Sequence, residues 1–214
     1  MDAAEPNDAT PFLPERRSLK ALREAARGCR GCHLWRPATQ TVFGEGLRRA
    51  RLVLVGEMAG DREDRAGAPF VGPAGRELDR ALAEVGIDRR EAYVTNVVKH
   101  FKFEERGKRR IHKKPGRLEV AACKPWLDEE LDLIRPEGIA LLGATAAQAL
   151  VGPAFRLRAD RGRLLDSDLA PFVLATIHPS AILRERDDRA RHEERRAFTT
   201  DLAALWKALP QGGG

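Results

Sequence analysis

The chain has 214 residues, 43% apolar and 33% charged, with 38 Lys and Arg against 32 Asp and Glu and a net charge of +6. That length buries an adequate core for one domain without disulfides or metals, the composition excludes a disordered or fibrous chain, and the positive excess favours a polyanionic partner. No apolar run approaches the ~20 residues that cross a bilayer, and the acidic start has no signal-type hydrophobic stretch, so a cytosolic protein with no membrane partner is expected.

Residues 1–17, with Pro6, Pro11 and Pro14 and no apolar period, read as a flexible arm. Residues 18–27 predict a short helix capped by Ser18, followed by the turn Cys29-Arg-Gly-Cys32 and a loop over 33–50. RLVLVG (51–56) predicts a buried parallel strand. The glycine-rich stretch 56–75 has too many breakers for a helix, and a helix then runs from Pro73 to Val85 with Gly86 as its stop. AYVTNVV (92–98) is the second strand, 99–116 a long basic loop and 117–134 a helix. GIALLG (138–143) and PFVLATI (171–177) are the third and fourth strands, with a helix after the third and a charged helix over about 189–208.

Strands alternating with helices predict a single domain over 18–209, an α/β fold built as a three-layer α/β/α sandwich on a mainly parallel four-stranded sheet, with 210–214 a flexible end. Nothing in the pattern asks for a dimer, so a monomer is expected. In such sheets the ligand sits at the carboxyl ends of the strands, which selects the loops 56–72, 96–116, 143–145 and 178–184.

Several residues in these loops carry chemistry. The first loop is acidic through Glu57, Asp61, Glu63 and Asp64, so it is no phosphate cradle, and its Phe70 offers a ring for a flat ligand. Asn96 ends the second strand, where one amide presents both a donor and an acceptor to a heterocycle edge. His178 leaves the fourth strand before the rigid Pro179 and is aimed into the cleft. Residues 106–117 hold seven Lys or Arg and no acid, suited to gripping phosphates. Within that loop, six Lys or Arg lie within five residues of His112 and disfavour its imidazolium, leaving the neutral ring a nucleophile needs. Cys29 and Cys32 form a chelating turn, and with Cys123 they supply three thiols. His100, or else His33, would complete a set suited to zinc or to an iron–sulfur cluster, and spacing does not choose between them.

In this order, Gly56-Glu57, Pro69-Phe70-Val71-Gly72-Pro73-Ala74-Gly75, Thr95-Asn96-Val97-Val98-Lys99, Cys123-Lys-Pro-Trp126 and His178-Pro179-Ser180 resemble the iron–sulfur uracil-DNA glycosylases of family 4. The insertion Lys108-Arg109-Arg110-Ile111-His112, and His100 where ordinary family 4 enzymes carry Cys, are similar to the UdgX branch. The resemblance spans about 19–205. It implies a DNA glycosylase acting on uracil-containing DNA, single-stranded first, with the preference between single and double strands left open.

Phe70 would stack on the flipped uracil, Asn96 would read its edge and His178 would donate to its O2. Glu57 would assist at C1′ through its charge or by activating His112, and with Asp61 it belongs to the acidic loop that can stabilise the sugar cation, while Met58 and Gly60 would line the pocket edge. Lys108, Arg109, Arg110, Ser180 and Arg184 would hold DNA. Cys29, Cys32, His100 and Cys123 would ligate a 4Fe–4S cluster. In UdgX the His of the KRRIH loop captures C1′ as a covalent adduct, so His112 takes that role here. The chain departs from the UdgX pattern Gly-Glu-Gln-Pro-Gly with Met58-Ala59 in place of Gln-Pro. A turnover glycosylase, a non-catalytic sensor of damaged DNA and a zinc-stabilised anion-binding module are the competing readings.

Overall fold

The computed structural model describes residues 8–210. Its strands are β1 (Glu45–Gly46), β2 (Leu52–Met58), β3 (Ala92–Val98), β4 (Phe103–Arg106), β5 (Arg109–His112), β6 (Gly138–Leu142), β7 (Leu164–Leu165) and β8 (Phe172–Thr176). The helices are α1 (Leu19–Ala26), α2 (Asp61–Ala66), α3 (Pro73–Val85), α4 (Arg117–Ile134), α5 (Ala144–Leu150), α6 (Leu157–Asp160), α7 (Pro179–Arg184) and α8 (Asp188–Ala208). No helix among the described residues is long and apolar enough to cross a membrane.

Six strands form the main sheet in the order β1-β3-β2-β6-β8-β7. The four central strands are parallel, as the sequence predicts, with Leu54 beside both Val94 and Ala140 and Gly56 beside Asn96. The two added edge strands are antiparallel and only two residues long, too short to leave a pattern in the sequence. Alternate residues serve opposite faces. Val53 and Val55 pack into a core with α1, α4 and α5, while Leu52 and Leu54 pack with α3, α7 and α8. Both faces are covered, which is why the strands read as unbroken apolar runs.

Three expectations are corrected. The stretch 56–75 does contain a helix, α2, because its glycines lie at the helix ends. The Gly60 and Gly72 N–H groups donate to the two oxygens of Glu63, at 3.2 and 2.7 Å, and Gly67 stops the helix in the left-handed region at φ 74°. The stretch 99–116 is not a loop but a hairpin of β4 and β5, closed by a two-residue turn with Gly107 at φ 59°. Part of the expected arm is packed: Ala9 is buried, its N–H donates to the Ala122 carbonyl at 2.8 Å, Thr10–Phe12 form a 3-10 turn, and Phe12 and Leu13 lie against the core, while residues 15–17 are exposed. Residues 1–7 of that arm and 211–214 of the expected flexible end lie outside the described residues.

A buried ion pair joins the sheet to α4. Lys99, just past β3, folds its Nζ onto Glu130, and both side chains are at most 1% exposed. Glu130 also accepts from the Gly44 N–H, the Tyr93 hydroxyl and the Thr95 hydroxyl, while Lys99 Nζ donates to the Asn96 carbonyl at 2.8 Å. Every strong polar group in the knot is satisfied, as burial of charge requires. Replacing Lys99 by Met leaves Glu130 uncompensated and is expected to cost about 3–5 kcal/mol of unfolding free energy, read from urea denaturation. A loss below about 1 kcal/mol would show the pair to be dispensable.

Candidate active site

A cavity of about 660 Å³ opens at the carboxyl ends of the parallel strands. It draws residues from all four loops selected by the strand-end rule, and it lies where the strand order switches sides between β2 and β6. Glu57, Met58, Gly60, Asp61, Phe70, Asn96, His112, His178, Ser180 and Arg184 all line it.

The inner wall depends on close packing. Phe70 is buried with its backbone in the left-handed region at φ 56°, a strained conformation for an aromatic residue. The sharp turn is possible because Gly75 has no Cβ, which would overlap the Phe70 carbonyl. A Cβ on Gly56 would collide with Asn96 Oδ1 and lie 2.6 Å from the Phe70 ring. Asn96 is buried, and its Oδ1 has no hydrogen-bond partner. A buried acceptor left open in a cavity wall is placed to receive a donor from a ligand.

His178 caps α7, and its Nδ1 accepts the Ser180 N–H at 3.2 Å. The proton of the neutral ring is therefore at Nε2. Burial pushes its pKa down to about 4, with Arg184 and His112 adding to the effect. The ring is a neutral N–H donor, and it packs 5.8 Å from Phe70.

Across the cavity, Glu57 Oε2 accepts the Thr145 hydroxyl, and Glu57 Oε1 stands 3.7 Å from His112 Nε2, too far for a hydrogen bond. Burial lowers the His112 pKa, Glu57 opposes that, Arg184 lowers it further and Glu63 raises it. The flap's own charges, which the sequence suggests as the cause, are not the leading contribution. The structure assigns the lowering to burial first, and then to an arginine on α7.

The hairpin is held over the cavity by Arg110. Its guanidinium meets Asp61 and Asp64, donates to the Thr39 hydroxyl at 3.1 Å and lies over the Phe101 and Phe103 rings at 5.3 and 4.9 Å. Only 13% of the Arg110 side chain is exposed. The structure therefore commits Arg110 to the protein, where the sequence assigned it to DNA, and it commits Asp61 to Arg110 and Arg65. Lys108 and Arg109 are exposed at the hairpin tip. Met58 Sδ accepts the Lys102 N–H at 3.3 Å, so this residue bonds the hairpin base as well as edging the cavity.

The cysteines lie apart from the cavity, near one another. The Cys29 Sγ accepts Trp126 Nε1–H at 3.3 Å and the Cys123 Sγ accepts the Lys99 N–H at 3.2 Å. Burial pushes the Cys123 pKa up to about 12, Lys99 opposes the shift, and Cys32 and Cys29 add to it. Among the described residues no three His, Cys, Asp or Glu side chains converge on one point that could hold a metal ion. Thr41 spends its hydroxyl proton on the Ala26 carbonyl, so its 3.0 Å contact with His100 Nε2 is donated by the ring, and His100 Nδ1 keeps its lone pair. His33 instead faces Glu119 through Nε2 at 3.1 Å.

Sequence reasoning did not name Thr145, although the loop 143–145 was selected. A hydroxyl in the first turn of a helix leaving a strand's carboxyl end was the available signal. Glu63, the double acceptor that shapes the first loop, was read only as part of its acidity.

The carboxyl edge of this doubly wound sheet thus brings an aromatic ring, an open amide and two imidazoles to one cavity, the architecture of a ligand-binding α/β protein. Residues 43–203 match the uracil DNA glycosylase superfamily, and the chain belongs to that superfamily. It is 37% identical over 174 residues to a type-4 uracil-DNA glycosylase of Thermotoga maritima, covering 81% of this chain and 87% of that one. It is 34% identical over 203 residues to the type-4 enzyme of Pyrobaculum aerophilum, covering 92% and 94%, and 34% identical over 184 residues to that of Archaeoglobus fulgidus, covering 82% and 88%.

The His178 ring is expected to titrate near pH 4 in the folded protein and near 6.5 when unfolded. The unfolded chain then binds the proton first, so this residue withdraws stability as pH falls from 6.5 towards 4. Ring chemical shifts followed by NMR check it, and a midpoint near 6.5 in the folded state would contradict it.

Proposed function

We propose that this chain excises uracil from DNA and that His112 then captures the sugar, leaving a covalent protein–DNA bond at C1′. The observation that carries this reading is the placement of His112 over the same cavity as Phe70, Asn96 and His178, with Nε2 facing Glu57 at 3.7 Å.

A base inside a duplex is out of reach, and extruding it costs a few kcal/mol. Stacking on Phe70 returns about 1–3 kcal/mol of that. Asn96 Oδ1 accepts the uracil N3–H, and His178 Nε2–H donates to O2. The glycosidic electron pair leaves with uracil, so negative charge grows at O2, where one preorganised donor contributes about 3–4 kcal/mol. Glu57 lies against the cationic sugar that remains. The Nε2 lone pair of neutral His112 then forms the bond to C1′, and the ring proton at Nδ1 passes through water to the departed uracil anion, which balances charge. Ser180 and Arg184 at the rim, with the exposed Lys108 and Arg109, hold the flanking strand.

Cys29, Cys32 and Cys123 are proposed as thiolate ligands of a 4Fe–4S cluster, with His100 Nδ1 as the fourth. Three thiols and one imidazole are a donor set that such a cluster accepts. The N–H donors on Cys29 and Cys123 are of the kind that stabilise cluster sulfurs. When bound, the group would tie the 29–32 turn to α4 as a structural brace. Stoichiometric iron, lost in His100→Ala, is expected on metal analysis, and full iron retention in that variant would move the fourth ligand elsewhere.

Incubation with uracil-containing single-stranded DNA should shift the protein band on a denaturing gel by the mass of the oligonucleotide. The His112→Ser variant should release uracil without the shift. An unshifted parent protein would overturn the capture step. The second reading is a turnover glycosylase, which predicts many uracils released per protein molecule.

A further inference from the structure

We infer that Thr145 is a positioning residue for Glu57, holding its carboxylate at the sugar and away from His112. The inference rests on the role proposed for Glu57. Thr145 is buried in the first turn of α5 and borders the cavity, and its hydroxyl donates to Glu57 Oε2. That bond occupies one carboxylate oxygen and leaves Oε1 as the one turned to His112, at 3.7 Å. An unheld carboxylate would have a closer partner available, because rotating towards His112 exchanges that gap for a charge-assisted hydrogen bond. Such a pair would occupy the Nε2 that has to attack C1′ and would draw the negative charge off the sugar.

The turn carrying Thr145 is stiff. The Gly143 N–H donates to the Thr176 carbonyl at 2.8 Å, and the Ala147 N–H donates back to the Gly143 carbonyl at 3.2 Å. Gly143 has φ 98°, and a Cβ there would lie 3.1 Å from the His178 Cβ, so the turn is packed against the second imidazole. Of the two χ1 rotamers open to Thr in a helix, the bond to Glu57 Oε2 selects one. The hydroxyl therefore stays fixed relative to both His178 and the end of β2, and Glu57 takes its position from it. A serine keeps the donor, whereas a valine keeps the shape and loses it.

The test measures single-turnover uracil release at saturating DNA, and the Kd for the same DNA, in Thr145→Val, Thr145→Ser, Glu57→Gln and the Val/Gln double variant. Thr145→Val is expected to slow release by about 10-fold to 100-fold, the loss of one hydrogen bond to a charged group, with Kd unchanged. Thr145→Ser should restore most of the rate, and Thr145→Val should add nothing in the Glu57→Gln background. Equal slowing by Val and Ser, a parallel rise in Kd, or additive losses in the double variant would overturn the inference. Parent-like release by Glu57→Gln would overturn the assigned role of Glu57 and the inference with it. A slow Glu57→Gln beside a fast Thr145→Val would overturn the inference alone.

Discussion

Glu130 lies fully buried beneath the exit of β3, and four donors from three parts of the chain close on its carboxylate. Charge without water is tolerated only when every lone pair is matched, so this knot fixes where β3 ends relative to α4. Two sites inherit that geometry. Lys99 Nζ holds the Asn96 carbonyl, which orients the open amide in the cavity wall. The main-chain N–H of the same lysine donates to Cys123 Sγ on α4, which places the thiol group. The open amide of Asn96 and the Cys123 thiol thus both take their places from one residue, Lys99.

The cavity gives its two imidazoles unlike surroundings. At His178 a main-chain N–H takes Nδ1 and burial keeps the ring neutral, so it can only donate from Nε2. His112 is half-exposed on a hairpin, and its Nε2 faces a carboxylate without bonding it. A fixed donor suits a developing oxyanion, and an uncommitted ring nitrogen suits a nucleophile. The two differ because one sits in the first turn after a parallel strand and the other on a flap that folds back over it.

That flap shows how charge and packing divide the work. A run rich in Lys and Arg repels itself, and as a peptide it would stay open. Here the guanidinium of Arg110 is drawn between two aromatic rings and two carboxylates of α2, and the hairpin closes with His112 inward. Lys108 and Arg109 remain at the tip in solvent. Neighbouring arginines of one motif therefore have unlike environments, which strand alternation imposes once one face is docked.

The central strands, the long helices and the four site loops were legible because burial on both sheet faces leaves unbroken apolar runs, and because ligands of such sheets lie at strand ends. Glu57, Phe70, Asn96 and His178 follow from that rule and the motif order alone. The hairpin, α2 and the packing around Ala9 were not legible, since each has a partner far away in the chain: Arg110 and Asp64, Asp64 and Thr39, Ala9 and Ala122. Thr145 is silent in sequence for the same reason, because its meaning is a contact with Glu57 across 88 residues. Local pattern thus determined the central strands, the long helices and which strand ends meet the ligand. Only the folded chain decided which charges are used up internally, because pairing of buried groups is set by distance in space and not along the backbone.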